Sequence, residues 1–212
     1  MKVINVGIIG TGNMGNHHID YLATNKIPGA VLKAICDVNP TQLVRAKSRV
    51  GEAVKAYEDA DELIHSKGID AVIIATPHYD HPPLAIKAFS QGLHVLCEKP
   101  AGVYTSQVRK MNAAAEKSGL VFGLMFNQRT LGEHLKLKQL VSSGELGELR
   151  RTNYIITSWF RAQSYYDSGG WRATWSGEGG GVLTNQCPHN LDLWQWICGM
   201  PVRVRAFCSF GK

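Results

Sequence analysis

The chain has 212 residues, of which 44% are hydrophobic and 19% charged, a composition that supports a folded core and excludes a disordered protein. The formal net charge is +6, but the basic residues are scattered and the densest group mixes with Glu145 and Glu148. We interpret the excess as solvated helix faces with an attraction for anionic groups, and we predict no nucleic-acid partner.

The first part of the chain alternates strand and helix patterns, and because its first residues already fit a strand pattern we predict no signal peptide. Apolar runs predict strands over residues 3–9, 31–36, 54–57, 71–75, 93–97 and 120–125. Helices are predicted over residues 14–23, 40–49, 83–90 and 105–117, with another ending at Gly68. No apolar run is long enough to cross a bilayer, so no membrane partner is predicted. The alternation favours an α/β fold with a doubly wound parallel sheet over residues 1–124.

The pattern changes from residue 125, and we predict part of a second, α+β open-sheet domain over residues 125–212. Helices are predicted over residues 131–141 and 190–198, and strands over residues 149–159 and 202–209, with a loop over residues 160–181. Two strands scarcely close a sheet. We therefore expect this domain to be C-terminally incomplete, or its apolar edge to be covered by a partner.

A glycine-rich loop follows the first predicted strand and opens the first predicted helix. This context turns a weak GxGxxG pattern into a dinucleotide-binding fingerprint of the Rossmann type. Gly10 permits the tight turn, Gly12 lets the pyrophosphate approach the backbone, and Gly15 allows close helix–strand packing. The loop is predicted to bind the cofactor through Gly10, Thr11, Gly12, Asn13, Met14 and Gly15.

Asp37 ends the second predicted strand, 22 positions after Gly15. A carboxylate there can accept both ribose hydroxyls of NAD and would repel the 2′-phosphate of NADP, and neither Val38 nor Asn39 supplies a basic group. The alternative is a solvated Asp in a turn. We predict NAD as the cofactor, with NADP disfavoured.

Polar residues also follow the fourth and fifth predicted strands, where open α/β sheets bind their ligands. We predict cofactor contacts from Thr76, Pro77, His78, His81, Glu98 and Lys99. Lys99 stands between Glu98 and a proline, which indicates a positioned ammonium beside the nicotinamide rather than a simple surface charge.

A glycine triplet, Gly179 to Gly181, precedes Asn185 and His189. Glycines let backbone approach a ligand closely. A histidine titrates near neutrality and can carry a catalytic proton, although a lone one is more often a capping or core residue. Five cysteines without a CxxC pair predict reduced, buried thiols, a cytoplasmic location and no metal site.

Together these motifs resemble the Gfo/Idh/MocA oxidoreductase family over essentially the whole chain, and the Glu-Lys-Pro triplet with the later GGG…HxxD stretch is the most specific pair. The resemblance implies a substrate and oligomerisation domain after residue 124, and further cofactor contacts from Asn127, Trp171 and Arg172. It also implies hydride transfer between NAD and a ring hydroxyl or ketone of a sugar, glycoside or cyclitol, in a homo-oligomer formed through the C-terminal sheet.

The resemblance implies that Lys99, His189 and Asn185 are the catalytic residues, with a bend and a cis bond at Lys99–Pro100. Asn185 stands where many family members have aspartate, and an amide cannot stabilise an imidazolium by charge. We therefore favour Lys99 as the proton carrier. Redox-neutral cleavage of a glycoside and a non-catalytic dinucleotide-binding subunit stay open, as do stacking and core roles for Tyr165, Tyr166, Trp171 and Trp175.

Overall fold

The computed structural model describes residues 3–157, 160–167, 169–207 and 209. Six parallel strands form one sheet in the order β3-β2-β1-β4-β5-β6. They are β1 (Ile4–Ile9), β2 (Ala30–Cys36), β3 (Lys55–Tyr57), β4 (Ala71–Ile74), β5 (His94–Cys97) and β6 (Phe122–Leu124). The central strands are apolar without alternation because helices cover both of their faces.

Five helices connect these strands: α1 (Asn13–Ala23), α2 (Pro40–Lys47), α3 (Ala60–His65), α4 (His81–Ser90) and α5 (Thr105–Ser118). One buried cluster contains Ile19 of α1 and Leu43 of α2, and a second contains Leu63, Phe89 and Met111 of α3, α4 and α5. The predicted doubly wound sheet is confirmed. The helix predicted to end at Gly68 ends at His65 instead, and Gly68 has a φ of +103°.

The strand order positions the ligand-binding edge. The chain leaves β1 toward β2 on one side of the sheet and leaves β4 toward β5 on the other side, so the connections after these two neighbouring strands run in opposite directions. A crevice opens at this reversal, at the carboxyl ends of the strands. The loops after β1 and β4 flank the crevice, and the loop after β5 lies next to them.

The regular elements in the second half of the described chain are helices joined by long irregular segments. A 3₁₀ turn (Asn127–Thr130) leads into α6 (Gly132–Ser142), followed by α7 (Gln163–Asp167), α8 (Val182–Asn185) and α9 (Pro188–Cys198). The guanidinium of Arg129 donates from Nε to Asp192 of α9 at 2.7 Å, which ties the 3₁₀ turn to that helix. The loop predicted over residues 160–181 contains α7, and the helix predicted from residue 190 begins two residues earlier.

Neither predicted strand of the second half is formed in the described residues. Residues 149–157 and 202–207 are not strands, and Val202 and Phe207 are each 97% exposed. Residues 158, 159 and 208, which complete those predicted strands, lie outside the described residues. The prediction was wrong for a physical reason: a strand needs a neighbouring ladder to satisfy its backbone groups, and no strand among the described residues lies beside these segments.

Candidate active site

The glycine loop lies between β1 and α1. Gly10 has a φ of +92°, and a Cβ there would lie 2.6 Å from the carbonyl oxygen of Ala75 at the end of β4. A Cβ on Gly15 would lie 1.8 Å from the carbonyl oxygen of Gly10, so only glycine allows α1 to approach the loop this closely. Asn13 and Met14 are exposed on the first turn of α1.

Gly12 is the residue at the N-terminus of α1, where no side chain caps the helix. A Cβ built on Gly12 meets nothing within 4 Å. The free N–H groups and positive end of α1 therefore face open space, as a pyrophosphate requires.

Asp37 holds this loop in place. Its Oδ2 accepts hydrogen bonds from the backbone N–H of Thr11 at 2.7 Å and from the Thr11 hydroxyl at 2.9 Å. Its Oδ1 accepts from the backbone N–H of Asn39 at 2.9 Å. Asp37 is only partly buried, so its carboxylate both shapes the loop and remains open to a ribose.

The loop after β4 contains, within the described part of the chain, one buried hydroxyl without a hydrogen-bond partner and one histidine whose two ring nitrogens both have partners. The hydroxyl oxygen of Thr76 is buried without a hydrogen-bond partner among the described residues. His81 is 1% exposed, and its ring nitrogens lie 2.7 Å and 2.9 Å from the carbonyl oxygens of Pro100 and Thr76. His81 therefore braces this loop against the loop after β5, and its placement does not support the predicted direct contact with a cofactor.

His78 begins a 3₁₀ turn (His78–Asp80) after Pro77, and it is 3% exposed. Its Nδ1 lies 2.9 Å from the carbonyl oxygen of Glu178, and its ring meets the edge of Trp171 at 5.1 Å between centroids. Burial lowers the pKa of His78 to about 4, against an opposing contribution from the Glu178 carbonyl. His78 is thus a neutral contact between the sheet edge and the second half of the chain.

Glu98 is also directed into the protein. It is 5% exposed, and its Oε1 lies 2.8 Å from Nε2 of His18 on α1. Glu98 therefore forms a buried link between the glycine-loop helix and the Glu-Lys-Pro turn, and its contact with the cofactor stays a prediction. The Lys99–Pro100 peptide bond is cis, as predicted.

Lys99 points to the second half of the chain. Its Nζ donates to the backbone carbonyl of Asn185 at 2.9 Å and lies 3.5 Å from the Asn185 side-chain Oδ1. Burial is the main cause that lowers the pKa of Lys99, with Arg161 and Arg172 adding to the effect while Glu98 and Glu178 oppose it. A lowered pKa makes the neutral amine, which can accept a proton, easier to form.

The catalytic residues predicted from the sequence come together here, although the chain separates Lys99 from Asn185 by 86 positions. His189 lies in the first turn of α9, and its ring meets Phe126 at 6.0 Å. Its Nδ1 is buried without a hydrogen-bond partner among the described residues. Burial and the nearby charge of Lys99 lower the pKa of His189.

Trp171 and Arg172 border the same region. Arg172 donates to the Tyr165 hydroxyl at 2.6 Å and stacks over that ring at 4.2 Å. Its Nε is buried without a partner among the described residues, which leaves a donor for a ligand. Asn127 is exposed next to Phe126, and its contact with the cofactor stays a prediction.

An open cleft of about 380 Å³ lies beside these groups. Its walls include Arg161, Tyr166, Trp175, Glu178, Gly181 and Gln186. Tyr165 stacks with Arg161 and Arg172 next to the cleft, and Trp175 is 80% exposed, so neither ring is an ordinary core residue. Within the described part of the chain, no cluster of three or more His, Cys, Asp or Glu residues is arranged to hold a metal ion.

Two functional candidates were missed by sequence reasoning. Glu178 immediately precedes the glycine triplet, and its carboxylate accepts from the Asn185 side-chain amide. His18 lies one helical turn after Gly15, which places it on the same face of α1. Adjacency to the glycine motifs was the available signal in both cases, but the identity of each partner depends on the fold.

A parallel sheet with a glycine loop at its reversal point defines a dinucleotide-binding domain of the Rossmann type. The comparison with known families identifies it further. The Gfo/Idh/MocA oxidoreductase family, with its NAD-binding Rossmann fold, matches residues 4–126, and the family's C-terminal domain matches residues 134–212. The chain belongs to this family and carries its NAD-binding domain.

Individual curated proteins that resemble the chain belong to the same family. The chain is 29% identical over 210 residues to the rhizopine catabolism protein MocA of Rhizobium meliloti, covering 99% of this chain and 62% of that protein. It is 30% identical over 197 residues to myo-inositol 2-dehydrogenase of Thermotoga maritima, covering 93% and 55%. The chain thus spans a little over half the length of these relatives.

Solved structures give the same result. The WlbA dehydrogenase of Bordetella pertussis, in complex with NADH and UDP-GlcNAcA, superimposes with a TM-score of 0.83 at 29% identity, over 94% of this chain and 58% of that one. Scyllo-inositol dehydrogenase of Lactobacillus casei, with bound NAD(H) and scyllo-inositol, gives a TM-score of 0.77 at 27% identity, over 93% and 57%.

No helix among the described residues is long and apolar enough to span a membrane.

Proposed function

We propose that the protein transfers a hydride between NAD and a ring hydroxyl or ketone of a sugar, glycoside or cyclitol. The observation that carries this proposal is the meeting of Lys99 with Asn185 beside His189, at the edge of the sheet that holds the glycine loop. The relatives named above, which include inositol dehydrogenases, support the substrate class.

The residues present fit the cofactor. Gly12 and the uncapped N-terminus of α1 would hold the pyrophosphate, and Asp37 would accept the ribose hydroxyls. The unsatisfied Thr76 hydroxyl and Arg172 Nε are polar groups that a ligand in the crevice can satisfy. Bound NAD would supply the acceptor for the hydride that leaves the carbinol carbon.

The protein's own residues would handle the proton. Neutral Lys99 would take the hydroxyl proton as the C–H bond breaks, and it would return that proton in the reverse reduction. Asn185 would hold the resulting ammonium through its backbone and side-chain oxygens. His189, whose pKa is lowered by burial and by the Lys99 ammonium once it forms, would hydrogen-bond the same substrate oxygen.

Formation of NADH tests this proposal. Purified protein is mixed with NAD and a panel of cyclitols, sugars and glycosides, and absorbance of NADH is followed. Stoichiometric NADH with oxidation of one substrate class is expected. Glycoside cleavage without NADH accumulation would instead favour the redox-neutral reaction, and NAD binding without any turnover would favour a non-catalytic subunit.

A second substrate candidate is a sugar that carries an anionic group. Arg161 and Arg172 both stack on Tyr165 and both act on the charge of Lys99, so this side of the cleft is cationic. The similar WlbA structure contains UDP-GlcNAcA. The panel therefore includes sugar nucleotides, and a loss of their turnover, but not of cyclitol turnover, in Arg172→Gln would favour this candidate.

The domain boundary, assembly and location complete the proposal. We propose a cofactor domain over residues 1–124 and a substrate domain over residues 125–212, supported by the end of β6 at Leu124 and by separate family matches.

We also propose a cytoplasmic homo-oligomer that pairs through the C-terminal segment, supported by exposed apolar residues there, such as Val204 and Phe207. Light scattering of the purified protein measures the oligomeric state.

A further inference from the structure

The carboxylate of Glu178 is buried beside Lys99, and no motif of the proposed function includes it. Glu178 is 5% exposed. Its side chain accepts a hydrogen bond from Nδ2 of Asn185, while Oδ1 of the same amide lies 3.5 Å from Nζ of Lys99. The three side chains therefore form a row of carboxylate, amide and ammonium.

We propose that Glu178 is a positioning residue that orients the Asn185 amide toward Lys99 and supplies the negative charge that Asn185 lacks. This inference rests on the proposed role of Lys99 as proton carrier. Here the carboxylate belongs to Glu178, which acts on Lys99 through the Asn185 amide.

The orientation of the amide follows from the charges at its two ends. An amide has a donor nitrogen and an acceptor oxygen, and reversing it would place the oxygen against the Glu178 carboxylate and the nitrogen against the Lys99 ammonium. Both contacts would be repulsive. Glu178 thus leaves Asn185 a single favourable orientation, in which its oxygen accepts from Lys99.

The backbone around the glycine triplet holds Glu178 in this place. A Cβ on Gly179 would lie 2.3 Å from Cγ1 of Val103, so the glycine lets this segment lie against the loop after β5. The backbone carbonyl of Glu178 also binds His78 Nδ1 at 2.9 Å. Glu178 is therefore anchored to the sheet edge on which Lys99 stands.

The chemistry of the proposed reaction explains the need for this charge. When Lys99 takes the hydroxyl proton, a neutral amine becomes an ammonium in a buried site that already contains two guanidinium groups. The charged or titratable groups that act on Lys99, or on which Lys99 acts, are Glu98, Arg161, Arg172, Glu178, His78 and His189. Glu98 favours the Lys99 ammonium more strongly than Glu178 does, but its side chain is bonded to His18. Glu178 is the carboxylate that is hydrogen-bonded to the amide that holds Lys99.

Three variants separate the charge of Glu178 from its size. Glu178→Gln keeps an oxygen that can accept from Asn185 and removes the charge. Asn185→Asp in the otherwise unchanged protein places two carboxylates in contact. The double variant Glu178→Gln with Asn185→Asp exchanges the carboxylate and the amide, and restores one of each. Glu133→Gln, at an exposed glutamate of α6, is the matched control.

The measurement is the pH dependence of Lys99 acetylation by acetic anhydride, followed by mass spectrometry, which needs neither NAD nor substrate. Glu178→Gln is expected to lower the pKa of Lys99, since an opposite charge nearby favours the ammonium. The acid limb of the pH–rate profile for kcat/KM should move to lower pH by the same amount. The double variant is expected to return both values close to those of the unchanged protein.

The outcomes separate this inference from the proposed function. Equal Lys99 pKa values in Glu178→Gln, Glu133→Gln and the unchanged protein would overturn the role of Glu178, whatever the turnover. A shifted pKa without NADH formation from any substrate would support the role of Glu178 and count against hydride transfer. If Glu178→Gln fails to fold, recovery of folding and of the Lys99 pKa in the double variant still supports the proposal, and failure to recover either refutes it.

Discussion

Nε2 of His18 lies 2.8 Å from Oε1 of Glu98, although 80 residues separate them in the chain. Their side chains are 11% and 7% exposed. The contact joins α1, which follows the glycine loop, to the turn that carries Lys99. This buried contact therefore links the helix that would bind the pyrophosphate to the turn that contains the proposed proton carrier.

Removing this brace should destabilise the fold. His18→Ala leaves the buried Glu98 carboxylate without its hydrogen-bond partner, which costs about 1–3 kcal/mol. Urea unfolding measures the loss. His17→Ala, an exposed neighbour on the same helix, is the control and should change the unfolding free energy by less than about 0.5 kcal/mol. Equal stabilities of the two variants would show that the contact contributes nothing.

The second and third glycines of the loop, Gly12 and Gly15, should respond differently to alanine. Gly15→Ala places a methyl group 1.8 Å from a backbone oxygen and should cost about 2 kcal/mol of stability. Gly12→Ala meets open space and should leave stability unchanged while weakening NAD binding by about tenfold, or about 1.4 kcal/mol. Unfolding and calorimetric titration measure both. Unchanged NAD affinity in Gly12→Ala would place the pyrophosphate elsewhere.

Asp37 should determine the choice between NAD and NADP. The unchanged protein is expected to bind NAD more tightly, since the carboxylate repels a 2′-phosphate. Asp37→Ala should narrow that preference and also weaken NAD itself, because Thr11 loses two hydrogen bonds to the carboxylate, each worth about 1.5–3 kcal/mol. Fluorescence titration with both dinucleotides gives the dissociation constants. Tighter binding of NADP by the unchanged protein contradicts this expectation.

Lys99→Met should reduce turnover by at least about 100-fold, the usual contribution of a general base. NAD affinity should stay within a few-fold, because the glycine loop and Asp37 provide most of the binding. His189→Ala should reduce turnover less, since Lys99 still carries the proton. Steady-state kinetics and NAD titration on both variants test this order. Near-normal turnover in Lys99→Met would make His189 the leading candidate for the base.

His78 should make the fold sensitive to acid. Its pKa is about 4 in the fold against 6.5 in an unfolded chain, so between these values the unfolded state binds more protons. Stability from neutral His78 is therefore complete above pH 6.5 and is lost as the pH falls, by about 2 kcal/mol at pH 5. His78→Asn keeps an N–H donor and removes the titration. Its unfolding free energy should fall less between pH 7.5 and 5, and parallel curves would exclude His78 as the cause.

Local patterns were enough to predict the first domain. The apolar runs of β1 and β4, the glycines of the loop and the acidic residue after β2 each act within a few positions, and each matches the structure. A parallel sheet also follows from the alternation of these patterns, because right-handed crossovers leave few other arrangements. The second half was predicted less well, since strands over residues 149–157 and 202–207 depend on partners that a local pattern does not contain.

The sequence by itself determined that a dinucleotide site lies after the first strand and that Lys99 stands at the same edge of the sheet. Only the tertiary structure decided which groups surround that lysine. Glu98 points to His18, His81 braces two loops, and Glu178 reaches Asn185, all across contacts set by how α1, the strand-end loops and the glycine triplet pack. Side-chain partners of this kind depend on distances in space, and a linear pattern encodes those distances only through the fold.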